Sequence, residues 1–179
     1  MDDPRWSRVE SLVDELYRRV LAKVSDLKAE RSNVLVESLI GRASLFSRIE
    51  RSLTTMLGEY APRVFAVFFS SVDPLQPPFD FYGVLRGREY WVKVVSGEDA
   101  FNSAVRGAVS DASLRYPNPV ILTLQGRFFE PVRVGRAPWL SAPASWKLVA
   151  GEGGYQRFVE LVREVASRYR DRLWDAVRV

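Results

Sequence analysis

Hydrophobic residues recur at helical spacing near both ends of the chain. Asp3-Pro4 is a helix-start signal, and the apolar positions after it predict a long amphipathic helix over residues 4–28. After a glycine-rich break, the same spacing predicts a closing helix over residues 155–177. Both ends of the chain are therefore expected to be helical.

A second helical region is expected between these two helices, interrupted at residues 41–44 and stopped at Gly58. Ala61-Pro62 then opens a short helix that runs to residue 69, because proline suits the first turn of a helix. The apolar residues 64–69 also suit a buried strand, so both interpretations stay open. Residues 70–78 contain three prolines and are expected to form a loop.

Two apolar runs in the middle of the chain, residues 79–85 and 90–95, flank a polar connection that contains glycine. This pattern predicts a β-hairpin. Each run carries one charged residue, Asp80 or Lys93. With Leu85 opposite Tyr90, these two become diagonal neighbours near enough for a long side chain to bridge. Because side chains alternate with period two, the shared face would hold Asp80, Tyr82, Trp91, Lys93 and Val95.

The hairpin is followed by a predicted helix over residues 98–116 and by an apolar strand over residues 120–124. A strand, a crossover helix and a second strand imply parallel pairing, with helices covering the sheet. Residues 125–144 show no clear periodicity and are long for a plain connection. The expected fold is a single α/β domain over residues 1–179, with an amino-terminal helix over 1–32 and a mixed-sheet core over 33–179.

Composition limits the chemistry that this chain can perform. Its 179 residues include no cysteine and no histidine, which excludes thiolate nucleophiles, cysteine zinc sites and the commonest general base. Any catalytic metal should then be a hard, oxygen-bound ion such as magnesium. No apolar run approaches the roughly 20 residues of a membrane span, and the acidic start is unlike a signal peptide, so a cytoplasmic location is expected.

The charge balance favours a polyanionic partner. The net charge is +4, and only four of the 26 basic residues are lysines, which leaves 22 arginines. Arginine makes planar, bidentate contacts to phosphate. A high-GC or thermophilic bias in codon use and stability explains the arginines equally well. The scarcity of lysine gives weight to Lys93, since the chain places one of its four lysines inside a predicted strand.

The order of these parts resembles the PD-(D/E)XK nuclease superfamily, and within it the type II restriction endonucleases. Asp80 takes the place of the family's aspartate on the first strand. The Glu-X-Lys of the second strand is degenerate: Lys93 stands either at the glutamate position, with Val95 at the lysine position, or at the lysine position, with Trp91 at the acidic one. Residues 51–58 and 145–155 also look like parts of restriction enzymes.

This resemblance implies a restriction-endonuclease-like core that binds double-stranded DNA as a homodimer and needs no small-molecule cofactor. Magnesium-dependent cleavage of phosphodiester bonds would use Asp80 and Glu59 as metal ligands, or Glu98 or Asp99 in place of Glu59, and Lys93 to stabilise the transition-state charge. The residues expected to contact DNA phosphates or base edges are Arg86, Arg88, Arg127, Arg133 and Arg136.

Two alternatives accompany this interpretation. Asp80 and Lys93 also suit a half-buried ion pair that fixes the hairpin register, because each charge needs the other when water is excluded. In that case the chain is a catalytically inactive relative that binds DNA, or a protein-interaction module built on the nuclease scaffold.

Overall fold

The computed structural model describes residues 3–32, 39–96, 102–125 and 132–177. Within these ranges the chain is an α/β protein with a mixed sheet and helices towards both termini, which confirms the expected class. The helices are α1 Pro4–Ser32, α2 Leu39–Ala66, α3 Ser103–Ser113, α4 Ala142–Ala150 and α5 Gly154–Val177. The strands are β1 Ser70–Pro74, β2 Phe81–Leu85, β3 Arg88–Val95, β4 Pro119–Thr123, β5 Val132–Val134 and β6 Ala137–Trp139. None of these helices has the length and apolarity that crossing a membrane requires.

The six described strands form one sheet in the order β1-β2-β3-β4-β6-β5. The pairs β1–β2, β2–β3 and β5–β6 are antiparallel, whereas β3–β4 and β4–β6 are parallel. The predicted hairpin and the predicted parallel strand after the crossover helix are both confirmed. Three neighbouring strands, β3, β4 and β6, therefore begin at the same edge of the sheet.

The chain divides into two compact units, Met1–Tyr60 with Glu160–Val179, and Ala61–Val159. The first unit is helical and contains specific polar contacts between distant parts of the chain. The Tyr169 hydroxyl donates to Asp14 Oδ1 at 2.7 Å, and Arg19 forms a 2.9 Å ion pair with Glu59. Val9, on α1, is fully buried. The single domain expected over residues 1–179 stays a prediction.

The second unit holds the sheet, which has a hydrophobic cluster on the face covered by α3. Its buried members are Phe79, Val95, Val109, Ala112, Ile121, Val134, Ala137 and Trp139. A separate aromatic cluster centres on Trp146, which is fully buried, with its ring 4.4 Å from that of Phe158 and 4.8 Å from that of Phe65. The Trp146 indole N–H donates to the Leu124 carbonyl at 3.1 Å, so its polar atom is satisfied.

The helix α2 corrects two expectations. It runs unbroken over Leu39–Ala66, without the interruption at residues 41–44 and without a stop at Gly58, and Pro62 lies inside it. Side chains remain buried through Tyr60, Val64 and Phe65, so burial outweighs the local helix-ending signals. Residues 64–66 are helical, so the strand alternative for residues 64–69 is wrong.

Three short strands lie where irregular chain was expected. β1 occupies part of the predicted loop 70–78, and β5 and β6 form a hairpin within residues 125–144. All five residues of β1 are exposed, its register with β2 is irregular between Ser70 and Asp73, and Ser71 has a φ of 53°. An exposed edge strand has no alternation of buried and exposed side chains, so the hydrophobic pattern contains no signal for it.

Candidate nucleic-acid interface

The β2–β3 hairpin closes through a two-residue turn, Arg86-Gly87, with Leu85 opposite Arg88. Both turn residues have positive φ, 49° and 80°, which is the pattern of a type I′ turn. The predicted register, with Leu85 opposite Tyr90, is wrong by two residues because the turn is shorter than that register requires. A shift of two residues leaves every side chain on its expected face.

Asp80 and Lys93 lie together, because both side chains are on the same face of the β2–β3 hairpin. Lys93 Nζ is 3.6 Å from Asp80 Oδ1, and the side chains are 21% and 23% exposed. The backbone N–H of Val94 donates to Asp80 Oδ2 at 2.6 Å, and the Asp80 N–H donates to the Val92 carbonyl at 2.8 Å. Burial raises the pKa of the Asp80 carboxyl above its usual 3.8, and the Val94 N–H and Lys93 partly offset this rise.

A depression of about 460 Å³ opens beside this pair. Apart from Asp80 and Lys93 it is lined by apolar side chains, namely Leu75, Pro77, Pro78, Phe79, Ala104, Val105 and Ala108. Asp80 is the sole carboxylate among the described residues of this lining. The depression is thus an apolar hollow with one ion pair at its wall.

The carboxylates expected to hold magnesium are Asp80 and Glu59, or Glu98 or Asp99 in place of Glu59. Over the described ranges, no group of three or more acidic residues is arranged to hold a metal ion. Both oxygens of Asp80 already face a donor, the Val94 N–H or the Lys93 ammonium. Glu59 lies in the first unit, paired with Arg19. Glu98 and Asp99 lie outside the described residues.

A second depression, of about 430 Å³, lies at the edge where β3, β4 and β6 begin. Three of the arginines predicted to contact DNA line it: Arg88, Arg133 and Arg136. Its other lining residues are Tyr90, Tyr116, Pro117, Asn118, Pro119, Val120, Pro138, Leu140 and Leu148. No acidic side chain occurs among the described residues of this lining. We call it the arginine depression.

Asn118 positions the first of these arginines. Its φ is 49°, a left-handed conformation that asparagine tolerates better than most residues. Its side-chain Oδ1 accepts from Arg88 Nη2 at 3.1 Å, and its Nδ2 donates to the Glu89 carbonyl at 3.2 Å. The Arg88 guanidinium also lies over the Tyr90 ring, 5.5 Å from the centroid. Arg88 is therefore held on two sides while its side chain remains exposed.

The β5–β6 turn positions the other two arginines. Gly135, with a φ of 62°, and Arg136 are its two central residues. The Arg136 backbone N–H donates to Ser113 Oγ at 3.1 Å, and Ser113 Oγ donates to the Ser110 carbonyl at 2.8 Å. Arg133 Nη1 donates to the Arg136 carbonyl at 3.3 Å. These contacts hold the turn against α3.

The two other arginines predicted to contact DNA are Arg86 and Arg127. The Arg86 guanidinium donates to the carbonyl of Leu148, in the last turn of α4. This contact ties the β2–β3 turn to α4 beside the arginine depression, since Leu148 belongs to its lining. Arg127 lies outside the described residues.

Sequence reasoning overlooked Tyr116 and Asn118 as site residues. Both fall in a stretch interpreted only as the end of a helix, yet Asn118 stands between Pro117 and Pro119. Two prolines restrict the neighbouring backbone, and asparagine is a common residue in the left-handed conformation, so this tripeptide carries a usable signal.

Comparisons of the chain with protein-family models, with curated proteins and with solved structures found no match.

Proposed function

We propose that this chain is a DNA-binding protein with a restriction-endonuclease-like core, and that it holds double-stranded DNA without cleaving it. The observation that carries the proposal is the arginine depression. Exposed guanidinium groups from two distant segments, Arg88 on β3 and Arg133 and Arg136 on the β5–β6 hairpin, converge on one concave surface.

The charges around this surface suit a phosphate backbone. Guanidinium groups bind phosphate oxygens through paired N–H donors, and contacts to the backbone position a protein on DNA without reading its sequence. No described carboxylate of the lining competes for these donors. We include Arg86 and Arg127 as further backbone contacts, and a homodimer as the form that binds duplex DNA, as the resemblance implies.

The absence of cleavage in this proposal is supported by the Asp80–Lys93 pair. An ammonium group 3.6 Å from Asp80 supplies the positive charge that a metal ion would bring to that carboxylate. The Val94 N–H takes the other oxygen. In this proposal the Asp80–Lys93 pair fixes the register of the β2–β3 hairpin, and the remaining surface of the fold binds DNA.

A salt titration of DNA binding tests the proposal. Each arginine–phosphate contact contributes about 0.9 to the slope of log affinity against log salt, so replacing Arg88, Arg133 and Arg136 by Gln should reduce the slope by about 2.7. A control with the same charge change replaces three exposed arginines outside the depression, Arg51, Arg106 and Arg170.

Fluorescence anisotropy with a labelled duplex gives both slopes. We expect the control to keep a steeper slope than the depression variant. Equal slopes for the two triple variants, or no binding of the unmodified protein at low salt, would overturn the proposal.

Magnesium-dependent endonuclease activity is the second candidate. It is favoured by the position of Asp80 and Lys93 on one face, at the wall of an open depression. It requires a further carboxylate, from Glu59 or from Glu98 or Asp99. Incubation of duplex DNA with the protein and magnesium or manganese, beside an Asp80→Ala variant, decides between the candidates. If the unmodified protein cleaves the duplex and Asp80→Ala does not, the function is endonuclease activity and not binding alone.

A further inference from the structure

The depression beside Asp80 and Lys93 lies on the face of the sheet that α3 covers. Lys93 is paired in register with Ile121 of β4, and Ile121 belongs to the hydrophobic cluster on that face. Leu75 and Val105 line the depression and pack against the same cluster. The ion pair and the apolar lining therefore belong to one site, which we call the ion-pair depression.

Small side chains on α3 keep the ion-pair depression open. Ala104 and Ala108 are four residues apart in α3, so they lie on the same side of the helix, and both are exposed. Each contributes only a methyl group to the lining. The remaining volume, about 460 Å³, lies in the range of about 300–1,000 Å³ that small-molecule sites occupy.

Other parts of the lining are rigid. Pro77 and Pro78 have backbones restricted by their rings, and Phe79 is only 3% exposed. The Leu75 N–H donates to the Asp80 carbonyl at 3.1 Å, which fixes the two ends of this segment to each other. A ligand therefore meets a formed site, which avoids much of the cost of ordering side chains on binding.

The ion pair leaves hydrogen-bonding capacity at the wall of this site. Asp80 Oδ2 accepts from the Val94 N–H at 2.6 Å, whereas Asp80 Oδ1 lies 3.6 Å from Lys93 Nζ. The second distance exceeds the roughly 2.7–3.2 Å of a protein hydrogen bond. Oδ1 therefore retains acceptor capacity, and the ammonium retains donors, since a lysine ammonium has several N–H groups.

This arrangement favours a neutral ligand. The charges of Asp80 and Lys93 cancel, so an anion drawn to Lys93 meets the carboxylate beside it, and a cation drawn to Asp80 meets the ammonium. A carboxamide carries no charge and has an N–H donor and a C=O acceptor on neighbouring atoms. It can bond both members of the pair without leaving a charge unpaired.

We propose that the ion-pair depression binds a small, neutral molecule that has an apolar body and a carboxamide group. The amide N–H donates to Asp80 Oδ1, the amide oxygen accepts from Lys93, and the apolar body lies against Phe79 and the alanines of α3. The described lining residues of this site and of the arginine depression do not overlap, so the inference does not depend on DNA binding.

The test uses three probes that share one ring: benzamide, benzoate and benzylamine. NMR titration of the isotope-labelled protein follows the Val94 N–H, which bonds Asp80 and therefore reports on the ion pair. For a ligand of this size we expect benzamide to bind with a dissociation constant of about 10 mM or lower. Benzoate and benzylamine should bind more weakly by about tenfold or more, because each brings a like charge to Asp80 or Lys93.

Substitutions at Ala108 and Lys93 separate the shape of the site from its charges. Ala108→Leu fills the depression from an exposed position where both residues favour helix, so benzamide binding should be lost while urea unfolding stays unchanged. Ala108→Ser keeps the side chain small and should keep binding. Lys93→Met removes the ammonium at similar length. Benzylamine should then bind tighter than benzamide, because its own ammonium replaces that of Lys93 beside Asp80.

Three results would overturn the inference. They are an unshifted Val94 resonance at a benzamide concentration several times the expected dissociation constant, equal affinity for the three probes, and unchanged benzamide binding by folded Ala108→Leu. If Lys93→Met does not fold, the probe series and the two Ala108 variants still decide the question.

Discussion

Gly135 in the β5–β6 turn should be among the positions of this chain least tolerant of substitution. A Cβ atom added there would lie 2.7 Å from Ser113 Oγ, 2.9 Å from Ser110 Oγ and 3.1 Å from Ser110 Cα. Ser113 Oγ cannot move away freely, because it bonds the Arg136 N–H and the Ser110 carbonyl. Gly135→Ala should therefore push the turn off α3.

The magnitude follows from two contributions. A left-handed φ costs a non-glycine residue about 1–2 kcal/mol, partly offset by the lower entropy of the unfolded chain. The contacts at Ser110 and Ser113 add about 1 kcal/mol for a lost hydrogen bond and about 1 kcal/mol or more for overpacking. We expect Gly135→Ala to lower the free energy of unfolding by about 2–4 kcal/mol.

Two other glycines provide matched controls. Gly87 has a φ of 80° but nothing within 4 Å of an added Cβ, so Gly87→Ala should cost about 1 kcal/mol for strain alone. Gly107 lies exposed within α3, again with open space around it, and Gly107→Ala should stabilise the protein by about 0.5–1 kcal/mol.

Urea unfolding of the three variants, followed by circular dichroism, measures this series. The order of stability should be Gly107→Ala, unmodified protein, Gly87→Ala and Gly135→Ala. If Gly135→Ala costs no more than Gly87→Ala, the packing of the turn against α3 does not constrain it, and the reasoning about Ser110 and Ser113 fails.

Three further variants test contacts elsewhere. Because burial raises the pKa of Asp80 above 3.8, the folded chain holds that proton more tightly than the unfolded chain, so stability should fall as pH rises from about 3.8 through the raised value. Urea unfolding across this window should show a smaller fall for Asp80→Asn, and an unchanged fall would contradict the assignment. Gly83→Ala places a Cβ 2.9 Å from Phe69 Cδ1 and should cost about 1–3 kcal/mol, part of it recovered in a double variant with Phe69→Leu. Tyr169→Phe removes the 2.7 Å hydrogen bond to Asp14 and should cost about 1.5–3 kcal/mol in thermal unfolding, whereas no change would show that the bond is not stabilising.

The elements that could be predicted from the sequence are those whose signal is local. The helices α1 and α5 and the β2–β3 hairpin each carry a hydrophobic period of their own. The meeting of Asp80 and Lys93 could also be predicted, because a two-residue change of register keeps both on one face. The register itself could not, since it depends on the positive φ of Arg86 and Gly87.

The features that could not be predicted from the sequence depend on contacts between residues far apart in the chain. The β5–β6 hairpin has three residues in each strand and is held by Ser113, 23 positions before Arg136 in the chain. The arginine depression exists because β3, β4 and β6 start at one edge, which brings Arg88 beside Arg133 and Arg136. No pattern within a single segment contains that information. The family resemblance and the roles that it implies remain predictions.

The edge strand β1 also limits how copies of this chain can associate. Sheets join edge to edge when a straight strand presents a regular row of free N–H and C=O groups. Here Ser71 bends the backbone, the register is irregular between Ser70 and Asp73, and Pro74 has no N–H to offer. These features, together with the charge of Asp73, discourage a neighbouring molecule from extending the sheet at β1. Pairing of two copies through β1 is therefore disfavoured, and the protein should resist assembling into continuous β-fibres from this side.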